Sequence, residues 1–143
     1  MKINDTDKKI LKILQKNARA TFTEIAKQLN LSEAAVRKRI KKLEEEGIIK
    51  CYLTNLNYSS IGKIASILGI DTTSEDYVNV ISQLKELKRK NNNIIELYTS
   101  TGDHMIMMKV VFDNQEELKK FIQEIEKIKG VTKICPSIIV ETL

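Results

Sequence analysis

The sequence predicts an α+β protein in which an N-terminal winged-type helix-turn-helix, three helices plus a strand, is joined to a C-terminal βαββαβ ferredoxin-like sandwich. Three observations lead there. Residues 1–50 hold three short segments of helical apolar period, separated by capping signals and by one very short turn. Residues 63–143 alternate strand-like and helix-like patterns in the order βαββαβ. The positive charge is confined to the first part: Met1–Lys50 carries 13 Lys/Arg against 7 Asp/Glu, and Cys51–Leu143 carries 11 against 12. The expected organisation is a helix-turn-helix domain over 1–50, a connecting strand and linker over 51–62, and an αβ domain over 63–143.

The first helix is expected from Asp5 to Gln15, with Ile10, Leu11, Ile13 and Leu14 at helical spacing and Asn4 or Asp5 as cap. Thr21-Phe22-Thr23-Glu24 is a capping-box sequence opening a second helix that carries Ile25, Ala26 and Leu29 inward. Asn30 can take the left-handed conformation that ends this helix, Leu31 can plug the turn, and Ser32 can cap a third helix running to about Glu46, where Gly47 stops it. At about 100° per residue, Val36, Ile40 and Leu43 share one side of that helix, while Ala34, Arg37, Lys38 and Lys41 share the other. After Gly47, the β-rich run Ile48–Leu53 is expected to leave as a strand.

In the second part the expected elements are a strand over Lys63–Asp71, a helix over Ser74–Lys90, strands over Ile94–Ser100 and His104–Phe112, a helix over Asn114–Lys129 ended by Gly130, and a strand over Lys133–Val140. The second of these helices has an apolar stripe of Leu118, Phe121, Ile122, Ile125 and Ile128. Helices would then cover one sheet face only. The strand His104–Phe112, however, is apolar on both sides, so the other face needs a cover, and a second copy of the same sheet is the economical one.

Composition narrows the function. A basic, capped helix-turn-helix beside a neutral domain is the electrostatic footprint of double-stranded DNA binding, the third helix entering a major groove. Arg37 could fork to guanine, Ala34 could meet a thymine methyl, and Lys38 and Lys41 could meet bases or phosphates. Thr21, Thr23 and Ser32 sit at helix starts where phosphates bind, although helix capping alone accounts for all three. The turn Thr101-Gly102-Asp103-His104 is a candidate small-molecule contact containing the single histidine, yet Gly-Asp in a hairpin is first of all a turn device. No phosphate-cradling glycine loop, nucleophile–base pair or metal-ligand spacing occurs, so no catalytic residue, metal or cofactor is expected. Cys51 and Cys135 stand far apart and are expected as buried thiols. With no long apolar run and no apolar leader, the chain is expected in the cytoplasm, away from membranes.

These residues resemble the leucine-responsive regulatory protein/AsnC family, the feast/famine regulators. The resemblance spans nearly the whole chain. It is carried by Asp5-Thr6-Asp7-Lys8-Lys9-Ile10-Leu11, Glu24-Ile25-Ala26-Lys27, Leu31-Ser32-Glu33, Val36-Arg37-Lys38-Arg39-Ile40 and Leu43-Glu44-Glu45-Glu46-Gly47-Ile48-Ile49 in that order, and by Ser100-Thr101-Gly102-Asp103-His104 in the second part. It implies a sequence-specific transcription regulator, dimers assembling into octamers or larger bodies, and modulation by an amino acid bound near the Gly-Asp loop between subunits. Asn30 replaces a frequent glycine and His104 a frequent aromatic residue of the family pattern. Two other readings stand beside this one: a small-molecule sensor or enzyme built on the αβ part, and an architectural DNA-bending protein with little sequence preference.

Overall fold

The computed structural model describes residues 2–143. The chain divides into two compact units, Met1–Asn55 and Leu56–Leu143.

The first unit consists of α1 (Asp5–Lys16), α2 (Phe22–Leu29) and α3 (Glu33–Glu45). Asn4, not Asp5, caps α1: its side chain accepts from the Asp7 amide at 2.9 Å, and the Asp7 carboxylate accepts from the Asn4 amide at 3.2 Å. Thr21 and Glu24 form the same reciprocal box at the start of α2. Between α2 and α3, Asn30 takes φ 53° and ψ 50°, the Leu31 amide donates to the Ala26 carbonyl at 2.9 Å, and Ser32 accepts from the Ala35 amide at 3.1 Å. These contacts satisfy some of the backbone groups that the turn frees. Ile10, Ile25, Ala26, Val36, Ile40 and Leu43 make the core.

The strand expected over 48–53 does not form. Gly47 turns left-handed at φ 68°, and the Ile48 and Ile49 amides both fold back onto the Leu43 carbonyl. Ile48 and Ile49 therefore pack on the helical core. Among the described residues of this unit, no neighbouring strand completes a ladder. Farther along, the Tyr52 hydroxyl donates to Glu44 at 2.7 Å. Burial together with Glu44 pushes that phenol up to about 12.

The second unit contains β1 (Ile64–Thr72), α4 (Tyr77–Lys90), β2 (Ile94–Thr99), β3 (Ile106–Phe112), α5 (Gln115–Glu126) and β4 (Val131–Ile138). The strands form one antiparallel sheet in the order β2-β3-β1-β4, which is the βαββαβ sandwich. Leu68 and Ile70 of β1, Ile106, Met108, Val110 and Phe112 of β3, and Leu118, Phe121 and Ile125 of α5 share a core with Val80 and Leu84 of α4.

Several boundaries move for local reasons. The helix expected from Ser74 begins at Tyr77, because the Thr73 hydroxyl takes the Asp76 amide and holds a turn ahead of it. The strand expected from His104 begins at Ile106, because the Asp71 carboxylate captures the Met105 amide at 3.2 Å and bends the chain out of the ladder. The last helix stops at Glu126, where the Ile128 amide turns back to Ile125 and Gly130 adopts φ 98°. The last strand runs Val131–Ile138 instead of Lys133–Val140 because β1, its ladder partner, begins pairing at Thr72 opposite Val131. The cysteines are not interior: Cys51 is exposed in the segment that failed to become a strand, and Cys135 is half-buried on β4.

The sheet face opposite the helices is only partly covered by its own chain. Tyr58, next to a single 3-10 turn at Ser59–Ile61, packs with Ala65 and Val111 at one end. His104 lies over Gly69 farther along. Ile67 and Tyr98 remain open, at 37% and 56% exposure. Among the described residues, no helix is long and apolar enough to cross a membrane, and no group of three or more His, Cys, Asp or Glu is placed to hold a metal ion.

Candidate nucleic-acid interface and ligand loop

The face of α3 opposite its buried residues Val36, Ile40 and Leu43 is solvent-exposed at Ala34, Arg37, Lys38 and Lys41. Thr21, Thr23 and Ser32 are exposed as well. Thr21 and Ser32 are occupied as caps, whereas Thr23 does something the sequence did not announce. Its hydroxyl donates to Glu33 at 2.9 Å, and the other oxygen of Glu33 accepts from Arg37 at 3.3 Å. The Arg37 guanidinium also lies 4.9 Å from the centroid of the Phe22 ring.

Thr23 and Arg37, from two different helices, are thus linked through one carboxylate, and Phe22 limits the rotamers open to the arginine. Glu33 stands four residues before Arg37, a spacing that puts the two side chains on one helix face and is the sequence signal for this pair. Lys41 pairs loosely with Glu45 at 3.7 Å, both being well exposed. Such a contact in solvent contributes little and yields readily to a phosphate.

Another basic residue of α3 is committed elsewhere. Arg39 donates to Asp7 at 2.9 Å, and Asp7 is only 2% exposed. Asp7 therefore serves both the α1 cap and a buried ion pair that locks α3 onto α1. Neither residue was singled out in the sequence, because nothing local distinguishes a buried aspartate from a solvated one.

In the second unit the candidate ligand residues separate into two groups. Thr101, Gly102 and Asp103 are exposed at the tip of the β2–β3 hairpin, which the Ser100 amide closes on the Met105 carbonyl at 2.9 Å. His104 turns instead onto the open sheet face, where its Nδ1 stands 3.0 Å from Asp71. A carboxylate only accepts, so Nδ1 is the donor in this contact. The ring sits where a side chain on residue 69 would be: a Cβ there would come within 2.2 Å of His104 Cδ2. The hydrogen bond from His104 holds the Asp71 carboxyl below the usual carboxylate range, aided by the Met105 amide and by Lys133. Gly69 and Asp71 escaped the sequence reading, since their relation to residue 104 spans more than thirty positions.

Comparison with known proteins accounts for both units. Residues 3–50 match the model of the winged helix-turn-helix DNA-binding family, and residues 66–143 match the Lrp/AsnC ligand binding domain. The chain is 48% identical over 143 residues to the HTH-type transcriptional regulator LrpA of Pyrococcus horikoshii, covering 99% of each chain. The structure of E. coli AsnC superposes with a TM-score of 0.67 at 26% identity, covering 99% of this chain and 95% of that one. A transcriptional regulator from Neisseria meningitidis, solved in complex with L-Met, shares the fold at TM-score 0.69 and 22% identity, covering 98% of this chain and 91% of that one. The chain belongs to the Lrp/AsnC family and is a transcriptional regulator with a DNA-binding helix-turn-helix and a ligand-binding domain.

Proposed function

We propose that the protein is a sequence-specific regulator that reads the major groove with α3 as a homodimer and is modulated by a small effector such as an amino acid. The observation carrying this reading is the exposed arc Ala34, Arg37, Lys38 and Lys41, with Arg37 oriented by Glu33 and Phe22. An arginine restrained in this way loses less freedom on forking to a guanine edge. Thr21, Thr23 and Ser32 lie at the exposed helix starts, where hydroxyls and amides suit phosphate oxygens and would fix the register of α3 on the duplex. The chemistry assigned to these residues is recognition, not catalysis.

Pairing would run through the sheet face opposite the helices, where Ile67 and Tyr98 are solvent-exposed. A two-fold dimer buries one self-complementary surface and supplies two reading helices for the half-sites of a palindrome. Octamers or larger assemblies, as the family resemblance implies, would extend that dimer. The exposed tip Thr101–Asp103, with His104 at its base, is the candidate effector contact. The methionine held by the Neisseria meningitidis relative makes an amino acid the first class to test. A cytoplasmic location fits a regulator of this kind.

Selection of bound sequences from a random duplex pool tests the reading directly. A palindromic motif is expected, and Arg37→Ala should lose about 1–3 kcal/mol of binding together with discrimination at one base position. Lys38→Ala or Lys41→Ala should lower the slope of affinity against salt by about one if the residue meets a phosphate. Tight, salt-sensitive binding with no recoverable motif would refute sequence-specific reading and favour an architectural role.

A further inference from the structure

A cavity of about 180 Å³ lies between α4 and the edge strand β2, beneath the hairpin that carries the Gly-Asp tip. Its walls are Ile81 and Leu84 from α4, Leu97 from β2 and Ile106 from β3. Leu84 and Ile106 are buried and belong to the core, so the floor of the pocket is part of the packed interior. Lys85 and Lys88 complete the lining from the helix. Both lysines are exposed, which leaves their aliphatic stems as wall and their ammonium ends in water.

The charged side chains on the lining are both basic, while Glu96 lies just outside it, accepting from the hydroxyl of the lining residue Tyr98 at 2.8 Å. No acidic residue lines the cavity. The single carboxylate of α4, Glu86, is taken by Arg89 at 2.7 Å and Lys90 at 3.0 Å, which pull its carboxyl down to about 2, Arg89 foremost. Lys85 and Lys88 make no ion pair among the described residues. A pocket of this volume with aliphatic walls matches the bulk of benzene or a branched alkyl group, the size that apolar cavities of about 150 Å³ accept. Two unpaired ammonium groups beside it fit an anion attached to that apolar body.

We propose that the α4–β2 cavity is a binding site for a small monocarboxylate with a branched aliphatic or phenyl tail, the tail between Leu84, Leu97 and Ile106 and the carboxylate on Lys85 and Lys88. An α-ammonium group finds no acidic partner here, so a free amino acid is not the best occupant. The assignment does not rest on the Gly-Asp tip being the effector contact.

The test is a methyl NMR titration of the full chain with 4-methylpentanoate, its amine counterpart 4-methylpentan-1-amine, and L-leucine, without DNA. Saturable shifts confined to the methyls of Ile81, Leu84, Leu97 and Ile106 are expected with the carboxylate. The amine should bind at least about tenfold more weakly, the size of one charge-assisted contact. Lys85→Gln with Lys88→Gln should weaken carboxylate binding by about three- to tenfold, the lysines being solvent-screened, and Thr99→Trp, placed on the lining, should block it. The lysine variants alter only exposed side chains and leave the core intact, so they decide the matter even if Thr99→Trp fails to fold. Absence of shifts at these methyls, equal binding of acid and amine, or full binding by the double lysine variant would each overturn the site. L-leucine shifting the Thr101 methyl and not those of the cavity would support the effector reading separately, and the same samples assayed for duplex binding report on the regulator reading independently.

Discussion

Replacing Gly69 with alanine is expected to displace His104. An alanine Cβ would stand 2.2 Å from Cδ2, 2.5 Å from Cγ and 2.8 Å from Nε2 of the imidazole, so the ring must leave. Its departure breaks the 3.0 Å contact with Asp71. The backbone at residue 69 has no positive φ, hence alanine itself is tolerated and would otherwise gain about 0.4–1 kcal/mol by restricting the unfolded chain. Against this stand overpacking, about 1–3 kcal/mol, and a lost hydrogen bond, about 1 kcal/mol. The net expectation is a loss of about 2 kcal/mol. In a His104→Ala background the obstacle is gone, and Gly69→Ala should be neutral or slightly stabilising. Urea unfolding of the four proteins, at one protein concentration because self-association shifts apparent stability, measures the coupling. A coupling energy within about 0.5 kcal/mol of zero would refute the packing argument.

Other outcomes follow from the same contacts. Asp7→Ala removes the partner of Arg39 and half of the α1 capping box, and should cost the helical unit about 3 kcal/mol, read from denaturant unfolding by far-ultraviolet dichroism. Asp71 has its folded pKa depressed, so its contribution to stability is present above its unfolded value of about 4 and is lost as pH falls through the folded value. A carboxyl-carbon NMR titration should place Asp71 below the ordinary range and return it towards that range in His104→Ala; an ordinary wild-type titration would contradict the His104 contact. Ile67→Glu puts a charge on the open sheet face and should drive sedimentation towards monomer, whereas an unchanged assembly would place the subunit contact elsewhere.

The helix-turn-helix was legible residue by residue because its signals are local. The Thr21–Glu24 box, the left-handed Asn30 and the Ser32 cap each act within a few residues, and the buried and basic sides of α3 follow from helical period alone. The βαββαβ order was legible for the same reason, apolar period and turn residues being properties of short windows. The strand expected at Ile48–Leu53 shows the limit: β propensity was present, but a strand exists only with a ladder partner, and the local amides found Leu43 first.

What the sequence by itself determined is therefore the three helices and the βαββαβ order, the charge division and the family, but not the strand expected at Ile48–Leu53; the helical and βαββαβ signals depend on neighbours within about one helical turn or one hairpin. Only the tertiary structure decided which polar groups meet. It committed Arg39 to Asp7 across 32 residues, joined Thr23 to Arg37 through Glu33, and laid His104 over Gly69 beside Asp71. It also left an apolar pocket between α4 and β2 with two lysines on its lining. Such pairings are settled by packing between elements distant in the chain, where burial makes an unpaired polar group costly, and no local pattern records which partner satisfies it.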